Sequence, residues 1–538
     1  MKQCKKNTYY ITTPIYYPNA SPHIGSLYST LIADIIARYQ KLFGKKVVFL
    51  TGVDEHGQKI AEAAAKKNMQ PKEFVDSISA LFQEAWKKWN IDYTIFMKTS
   101  SDFHKEGVTE WIIRMEKEGF IYKALYEGWY SVTSEAFLTE KDAECKNKHD
   151  VPICPLSGKE AIWLSQDAYF FKLSSFQKPL LEWYAHNPEW IYPKERINEV
   201  VEFVKGGLKD LCISRTKENL LWSIDYPGDA KQGVYVWADA LNNYITGVGY
   251  PSSDQFCSIW PADVHVLAKD IIRFHAVYWP AFLMASKLPL PKKLLVHGWL
   301  LVDNKKMSKS LGNVISPEHL QQQYGVDRMR YYFARHIALT HDSSFSDEDI
   351  IQKTNAECVN TLGNLVQRVI MLALQNNLDH VDILASPLQE VLLKEGDRLV
   401  QFIEQCINEC SLTRACEEIW KYISFVNQAV QESQPWAVVK KDKNEFTKII
   451  SALLQAIARI SYCVSPIMPQ SAETILFCLY GQNCSIESLE NNKKVSFRLT
   501  APSKPLFERL ELQVKEKEKD KNRIKNIKSQ DNHHKLSR

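Results

Sequence analysis

Tyr9-Tyr10-Ile11-Thr12-Thr13, followed after three prolines by Pro22-His23-Ile24-Gly25-Ser26, is the stretch that decides the fold. The first run is β-branched and aromatic and suits a buried strand. Pro14, Pro18 and Pro22 break regular structure, so a loop follows. Leu27, Leu31, Ile35 and Tyr39 then recur every four residues, with Ile32, Ile36 and Phe43 beside them, and Gly44 stops the run. That is one apolar helix face. The polar turn with a glycine falls at the helix N-terminus. Unpaired N–H groups and the positive dipole end favour a phosphate there, and glycine lets it approach. His23 adds a donor that could follow charge during a reaction. Ordinary α/β structure has the same local pattern, and what sets this chain apart is a second stretch far downstream, Lys306-Met307-Ser308-Lys309-Ser310.

Working outward, Val47-Val48-Phe49-Leu50-Thr51 reads as a second buried strand, ending in Gly52-Val53-Asp54-Glu55-His56-Gly57 before an Ala-rich helix. Alternating strand and helix predicts a parallel sheet with right-handed crossovers, whose ligands lie at the carboxyl ends of the strands. Asp54 and His56 fall at that rim. A carboxylate there could hold an ammonium group, or it could cap a turn. Residues 60–115 read as helices with Trp86, Trp89 and Trp111 facing a core. Over 122–224 aromatic strand-like pieces alternate with turns, as in an insertion. Cys145, His149 and Cys154 lie in it, but three candidate ligands at that spacing match no strong zinc pattern.

The α/β pattern returns at Tyr235-Val236-Trp237-Ala238-Asp239-Ala240-Leu241, with a next strand Val264-His265-Val266-Leu267 running into Ala268-Lys269-Asp270, and another, Leu294-Leu295-Val296, into His297-Gly298-Trp299. Asp270 at a strand end could accept from both ribose hydroxyls, or cap the next helix. Trp237, Tyr244, His275 and Trp279 could form an aromatic pocket, or simply pack a core. Residues 301–316 read as a loop crowded with Lys305, Lys306 and Lys309. Such a loop could close over a triphosphate, or remain an exposed basic turn. From Ser346 the strands stop and apolar-periodic segments predict a helical bundle. Asn364 and Arg368 share a helix face, and Trp436 follows Pro435 in a break, a grouping able to take unstacked RNA bases. Residues 515–538 are Lys/Glu/Asp-rich, which predicts a disordered tail.

The 538 residues are 45% hydrophobic and suggest ~3–4 domains. A net charge of +4 excludes a histone-like polycation, so any nucleic-acid surface must be local. Twelve cysteines without a Cys-x-x-Cys pair, and a first strand within ten residues of Met1, point to a reducing, intracellular chain. No uninterrupted apolar run looks long enough to span a bilayer.

Together, His23-Ile24-Gly25-Ser26 and the lysine-serine stretch, on an α/β sheet followed by a helical bundle, resemble the class I aminoacyl-tRNA synthetases. Thr13-Pro14-Ile15-Tyr16-Tyr17, the run from Thr51 to Gln58, Tyr235-Val236-Trp237-Ala238-Asp239-Ala240, Phe274-His275, Tyr278-Trp279-Pro280, His297-Gly298-Trp299 and Gln434-Pro435-Trp436 resemble the methionyl-tRNA synthetase family in particular. The resemblance implies a Rossmann-type parallel-sheet catalytic domain in two halves, residues 1–118 and 229–300. It implies a connective insertion at 119–228, a lysine-loop and stem-contact region at 301–345, an all-α anticodon-binding bundle at 346–510, and a charged tail at 511–538. The implied reaction is two-step: methionine and Mg2+-ATP give methionyl-adenylate and pyrophosphate, and methionyl then passes to the 3′ end of tRNA(Met). Ile15, Tyr17, Trp237, Ala240, Leu241, Tyr244, Phe274, His275 and Trp279 would line the methionine pocket, with Asp54 on the ammonium. A polarizable thioether suits aromatic walls. ATP would meet His23, Gly25, Ser26, Lys269, Asp270, His297, Gly298, Lys306, Ser308 and Lys309. Of these His23, Ser26, Lys306 and Lys309 would be catalytic. Asn364, Arg368 and Trp436 would read the anticodon.

Two departures stand out. The family usually carries a second histidine where Ser26 stands; a hydroxyl donates one hydrogen bond but carries no charge. Many relatives have Cys-x-x-Cys zinc knuckles in the insertion, and this chain lacks them, so no structural zinc is expected. A cytoplasmic monomer that meets no membrane is the accompanying expectation. The alternatives are another class I synthetase or a catalytically inactive tRNA-binding relative. If the lysine loop stabilises the leaving pyrophosphate, Lys309→Ala lowers ATP–pyrophosphate exchange by ~100-fold or more with little loss of folding. An unaffected rate refutes the assignment.

Overall fold

The computed structural model describes residues 8–132, 136–138, 142–155, 157–218, 220–302, 305–306, 315–481 and 496–512. Helix α1 (Ile24–Leu42) and strand β2 (Lys46–Val53) follow the sequence reading, but strand β1 (Thr8–Tyr16) runs on through Pro14, where the sequence predicts a break; the proline sits where the pairing with β2 is irregular, between Thr12 and Ile15. A third strand, β3 (Ile95–Lys98), lies inside the stretch read as helical; at four residues it is too short for a period-2 signal. These strands belong to one six-stranded sheet, in the order β3, β2, β1, Val264–Ala268, Leu294–His297, Ile191–Tyr192, and every pair is parallel. The order runs outward from β1 in both directions, so the switch point lies between β1 and Val264–Ala268.

The outermost strand, Ile191–Tyr192, comes from within the insertion and pairs with Leu294 and Leu295. The insertion's other described strands pair antiparallel. Ile121–Ser131 pairs along its length with Ile162–Phe171, flanked by Ala136–Phe137 and Leu211–Cys212, and a second sheet joins Ser214–Thr216, Asp229–Val234 and Asp225–Tyr226. Residues 235–241 are not a strand: Val236–Ala240 is a short helix. Residues 301–316 are not loop throughout either. Leu300–Val302 pairs in parallel with Ser343–Phe345 and antiparallel with Lys305–Lys306.

From Asp347 to Tyr480 the chain is largely helical, with Pro387–Asn408, Leu412–Ser433, Lys443–Val464 and Pro469–Tyr480 packed as a bundle. It is not purely helical, because His380–Asp382 and Ser496–Arg498 form a small antiparallel pair. Lys443–Val464 is long and apolar enough by composition to cross a bilayer, a point the sequence reading passed over. However, 72% of its apolar window is buried in the bundle, which makes it a core helix and not a membrane span.

Helix α1 is buried on nearly every face, more than its single apolar stripe predicts, because the sheet lies on one side and the bundle on the other. Tyr39 donates to the Cys463 carbonyl at 2.8 Å across that contact. Asp34, wholly buried, meets Arg330 at 2.6 Å and Arg38 at 2.9 Å. Arg330 also donates to the carbonyls of Ile467, Pro466 and Trp89. Removing one member of such a pair leaves a buried charge uncompensated. Arg330→Met therefore destabilises the protein by about 3–5 kcal/mol, read as a shift of the urea transition, while a shift below 1 kcal/mol would show that Arg38 suffices for Asp34.

Candidate active site

In open parallel sheets a ligand crevice forms outside the strand carboxyl ends at the switch point. A cavity of about 550 Å³ opens there, lined from the end of β1, the first turn of α1, the end of β2 and the segments following the next two strands.

His23 is the N-cap of α1. Its Nδ1 accepts the Gly25 N–H at 3.0 Å, which assigns the ring proton to Nε2 in the neutral form. Ser26 completes a capping box: its hydroxyl accepts the His23 N–H at 3.2 Å and donates to the His23 carbonyl at 2.7 Å. A Cβ at Gly25 would sit 2.9 Å from the His23 ring, so glycine is needed for the turn to close. Thus Ser26 holds the turn that presents His23. All three residues line the cavity.

One wall is apolar. Ile15, Tyr17, Trp237, Ala240, Leu241, Tyr244 and His275 line it, with Asp54 beside them. Phe274 lies behind, stacked on Trp237 at 3.6 Å. Trp279 also lies behind, wholly buried, 5.9 Å from the Tyr244 ring and donating to His265. Phe274–Tyr278 is a π-helical turn, a form found often at functional sites. His275 Nδ1 faces the Ile271 carbonyl at 3.0 Å, so Nε2, 2.7 Å from the Tyr244 oxygen, accepts the phenol proton. Burial pushes the imidazole down to about 4, so it stays neutral at pH 7.

The other wall is polar. Asp270, His297, Gly298 and Trp299 line it. Trp299 Nε1 donates to Asp270 at 3.3 Å. Lys269 does not line the cavity; it lies 4.1 Å above the Trp299 ring and pairs with Asp342 at 2.7 Å. Asp342 also accepts the Trp299 N–H. His297 Nδ1 faces the Gly298 carbonyl, and Nε2 accepts from Ser29 at 2.7 Å. Burial holds this imidazole below its usual range. A side chain at Gly298 would come within 2.3 Å of the His341 backbone, so the segments meet only through glycine.

Lys306 pairs by its backbone with Leu301, next to the cavity-lining Leu300. Met307, Ser308, Lys309 and Ser310 lie outside the described residues. The chain re-enters at Ile315, whose carbonyl accepts the Ile24 N–H at 3.1 Å. The lysine segment therefore leaves from the cavity rim and returns beside His23.

In the helical region Asn364 and Arg368 line a polar hollow of about 600 Å³ with Asn360, Gln367, Asn427, Gln428 and Gln431. Trp436 is exposed, which core packing would not produce. In the insertion Cys145 and His149 are exposed whereas Cys154 is buried, and among the described residues no three His, Cys, Asp or Glu side chains converge as metal ligands.

Residues 9–370 match the family model for tRNA synthetases class I (M), and residues 384–504 match that for the anticodon binding domain of methionyl tRNA ligase. The parallel sheet, the histidine turn at its switch point and the appended helical bundle are thus those of a class I aminoacyl-tRNA synthetase. The chain is 40% identical over 473 residues to the methionine–tRNA ligase of Caldanaerobacter subterraneus, covering 87% of this chain and 73% of that one. It is 40% identical over 477 residues to that of Rickettsia felis, covering 88% and 92%. Mycobacterium tuberculosis methionyl-tRNA synthetase in complex with methionyl-adenylate superposes with a TM-score of 0.87 at 36% identity, over 94% of this chain and all of that one. The chain belongs to the methionyl-tRNA synthetase family; it is a methionine–tRNA ligase.

Several cavity residues escaped the sequence reading. Ser29 and Tyr28 sit on a face of α1 that looked merely helical; the Tyr28 hydroxyl is buried and finds no partner among the described residues. Lys59 and Asn243 line the cavity without any motif to mark them. Asp342 had no signal at all, since it reaches Lys269 only through folding. For His275 the sign is definite: a buried neutral imidazole stabilises above its unfolded value near 6.5, and that contribution is lost as pH falls toward 4. Thermal stability and methionine affinity should therefore decline together over that window, and His275→Gln should flatten the decline in stability; an unchanged pH profile in that variant would show that another group titrates.

Proposed function

We propose the following division of labour for methionine activation and transfer. The methionine side chain lies against Ile15, Trp237, Ala240, Leu241, Tyr244 and His275, with Phe274 and Trp279 fixing the walls from behind. A thioether is polarizable and weakly accepting, which suits aromatic faces and one neutral polar pair. Asp54 takes the ammonium in a charge-assisted hydrogen bond, together with Tyr17 at the rim. ATP enters with its Mg2+ as substrate. Asp270 accepts from the ribose hydroxyls, with Lys269, His297 and Gly298 shaping the nucleotide end.

In the first step a methionine carboxylate oxygen attacks the α-phosphorus. The bond to the bridging oxygen breaks, and its electron pair leaves on pyrophosphate. His23, Gly25 and the α1 N-terminus stabilise the negative charge on the triphosphate, with Ser26 supporting the turn. Lys306, Ser308 and Lys309 act from the other side. In the second step a hydroxyl of the terminal tRNA ribose attacks the carbonyl carbon and gives up its proton, the mixed anhydride C–O bond breaks and AMP leaves with its electron pair. Asn364, Arg368 and Trp436 read the anticodon by hydrogen bonding and stacking. The six stretches defined in the sequence serve as domains in this scheme. The insertion works without zinc, and the protein acts as a cytoplasmic monomer.

One observation carries this reading: the backbone of Ile24, beside His23, is bonded to Ile315 at the end of the lysine segment, so both loops rise from one rim. ATP–pyrophosphate exchange should depend on methionine and on no leucine, isoleucine, valine or cysteine added in its place. Trp436→Ala should leave exchange within about twofold while lowering tRNA charging by ~10-fold or more, the cost of a lost base stack. A parallel loss of both would make Trp436 a packing residue.

A further inference from the structure

Two residues beyond Asp54 the chain turns away from the cavity. His56 Nδ1 lies 2.6 Å from one oxygen of Asp239, and His104 Nε2 lies 2.7 Å from the other. His104 Nδ1 reaches the Thr246 hydroxyl at 2.7 Å. All these side chains are buried, and none lines the cavity. They come from separate elements: the loop after β2, the helix Asp102–Lys117, the helix Val236–Ala240 and the helix Asn243–Thr246. Burial alone would raise the Asp239 carboxyl, but the facing imidazoles overcome it and hold the group below the usual carboxylate range.

The tethers around Asp54 explain why this matters. Its N–H donates to the Tyr16 carbonyl at 2.9 Å. The Glu55 carboxylate accepts from Ser79 at 2.7 Å and from Ser100. Gly57 N–H donates to the Trp222 carbonyl. Those contacts tie the loop to β1, to the helix Pro71–Lys88, to the turn after β3 and, through Trp222, to the insertion. The His56 contact reaches instead the helix Val236–Ala240, on which Trp237 and Ala240, to either side of Asp239, line the apolar wall beside Asp54. We propose that Asp239, acting through His56, is a positioning residue that sets the distance between the ammonium-binding Asp54 and the Trp237–Ala240 wall, and so fixes methionine recognition. The proposal rests on the assignment of Asp54 to the methionine ammonium.

The test is steady-state ATP–pyrophosphate exchange with Asp239→Asn, His56→Leu, His56→Asn, Asp54→Asn and the Asp54→Asn/Asp239→Asn double variant, with thermal stability measured on each. Asp239→Asn and His56→Leu should raise KM for methionine by about 10- to 100-fold, as expected for a lost charge-assisted hydrogen bond, with KM for ATP changed less than threefold. His56→Asn, whose amide nitrogen stands near the place of Nδ1, should restore most of the affinity, and keeps the test open if Asp239→Asn folds poorly. In the double variant Asp239→Asn should add nothing to the effect of Asp54→Asn. Independent, multiplying effects, or a parallel rise of both KM values with a fall in thermal stability, overturn the positioning role. A raised methionine KM in Asp54→Asn with none in Asp239→Asn overturns it too, leaving the ammonium assignment intact. An unchanged KM in Asp54→Asn removes that assignment and the proposal together.

Discussion

Asp34 of α1 and Arg330, far along the chain, are both fully buried and meet at 2.6 Å between the sheet and the helical bundle. Two charges leave water at low cost only when they are well partnered, and here three backbone carbonyls take three more of the guanidinium N–H donors. The contact clamps α1 in the middle of the molecule. With its sides occupied, the helix presents its N-terminus to the cavity, and the histidine turn is aimed by packing many residues away. The capping box then supplies the fine geometry, since both ring and hydroxyl are committed to the first turn.

The cavity is assembled on the same plan. Cavity side chains at element ends and inside short helices alike are held by packed neighbours. Phe274 backs Trp237, and Trp279 backs Tyr244. Ser29 fixes the His297 ring, and Asp342 joins Lys269 to the Trp299 backbone. Two imidazoles at the cavity, His275 and His297, are kept neutral by burial, so they act as oriented acceptors rather than as charges. Ser26 is likewise turned inward, its hydroxyl held by the His23 backbone in the cap.

Much of this was legible in the chain. The β-branched run, the four-residue apolar spacing and the glycine stop located β1 and α1, although the strand runs on through Pro14 to Tyr16, where the proline predicts a break. The rim positions of Asp54, Asp270 and His297 followed from the rule that ligands lie at strand carboxyl ends, and all three line one cavity. Short elements were not legible: β3 spans four residues, Ile191–Tyr192 only two, and neither length establishes a period. Residues 235–241 misled because an aromatic, β-branched run also fits a short buried helix, and only the surrounding contacts separate the two.

The sequence by itself determined the parallel-sheet architecture, the helical bundle and the resemblance to a synthetase, because these depend on local periodicity and on runs of adjacent residues. Only the tertiary structure decided which residues share a surface. Asp239, His56 and His104 are separated by long stretches of chain, and so are Lys269 and Asp342 and Asp34 and Arg330. No spacing rule can couple them, for a side chain's electrostatic partner is set by where the backbone returns and not by how far along it lies.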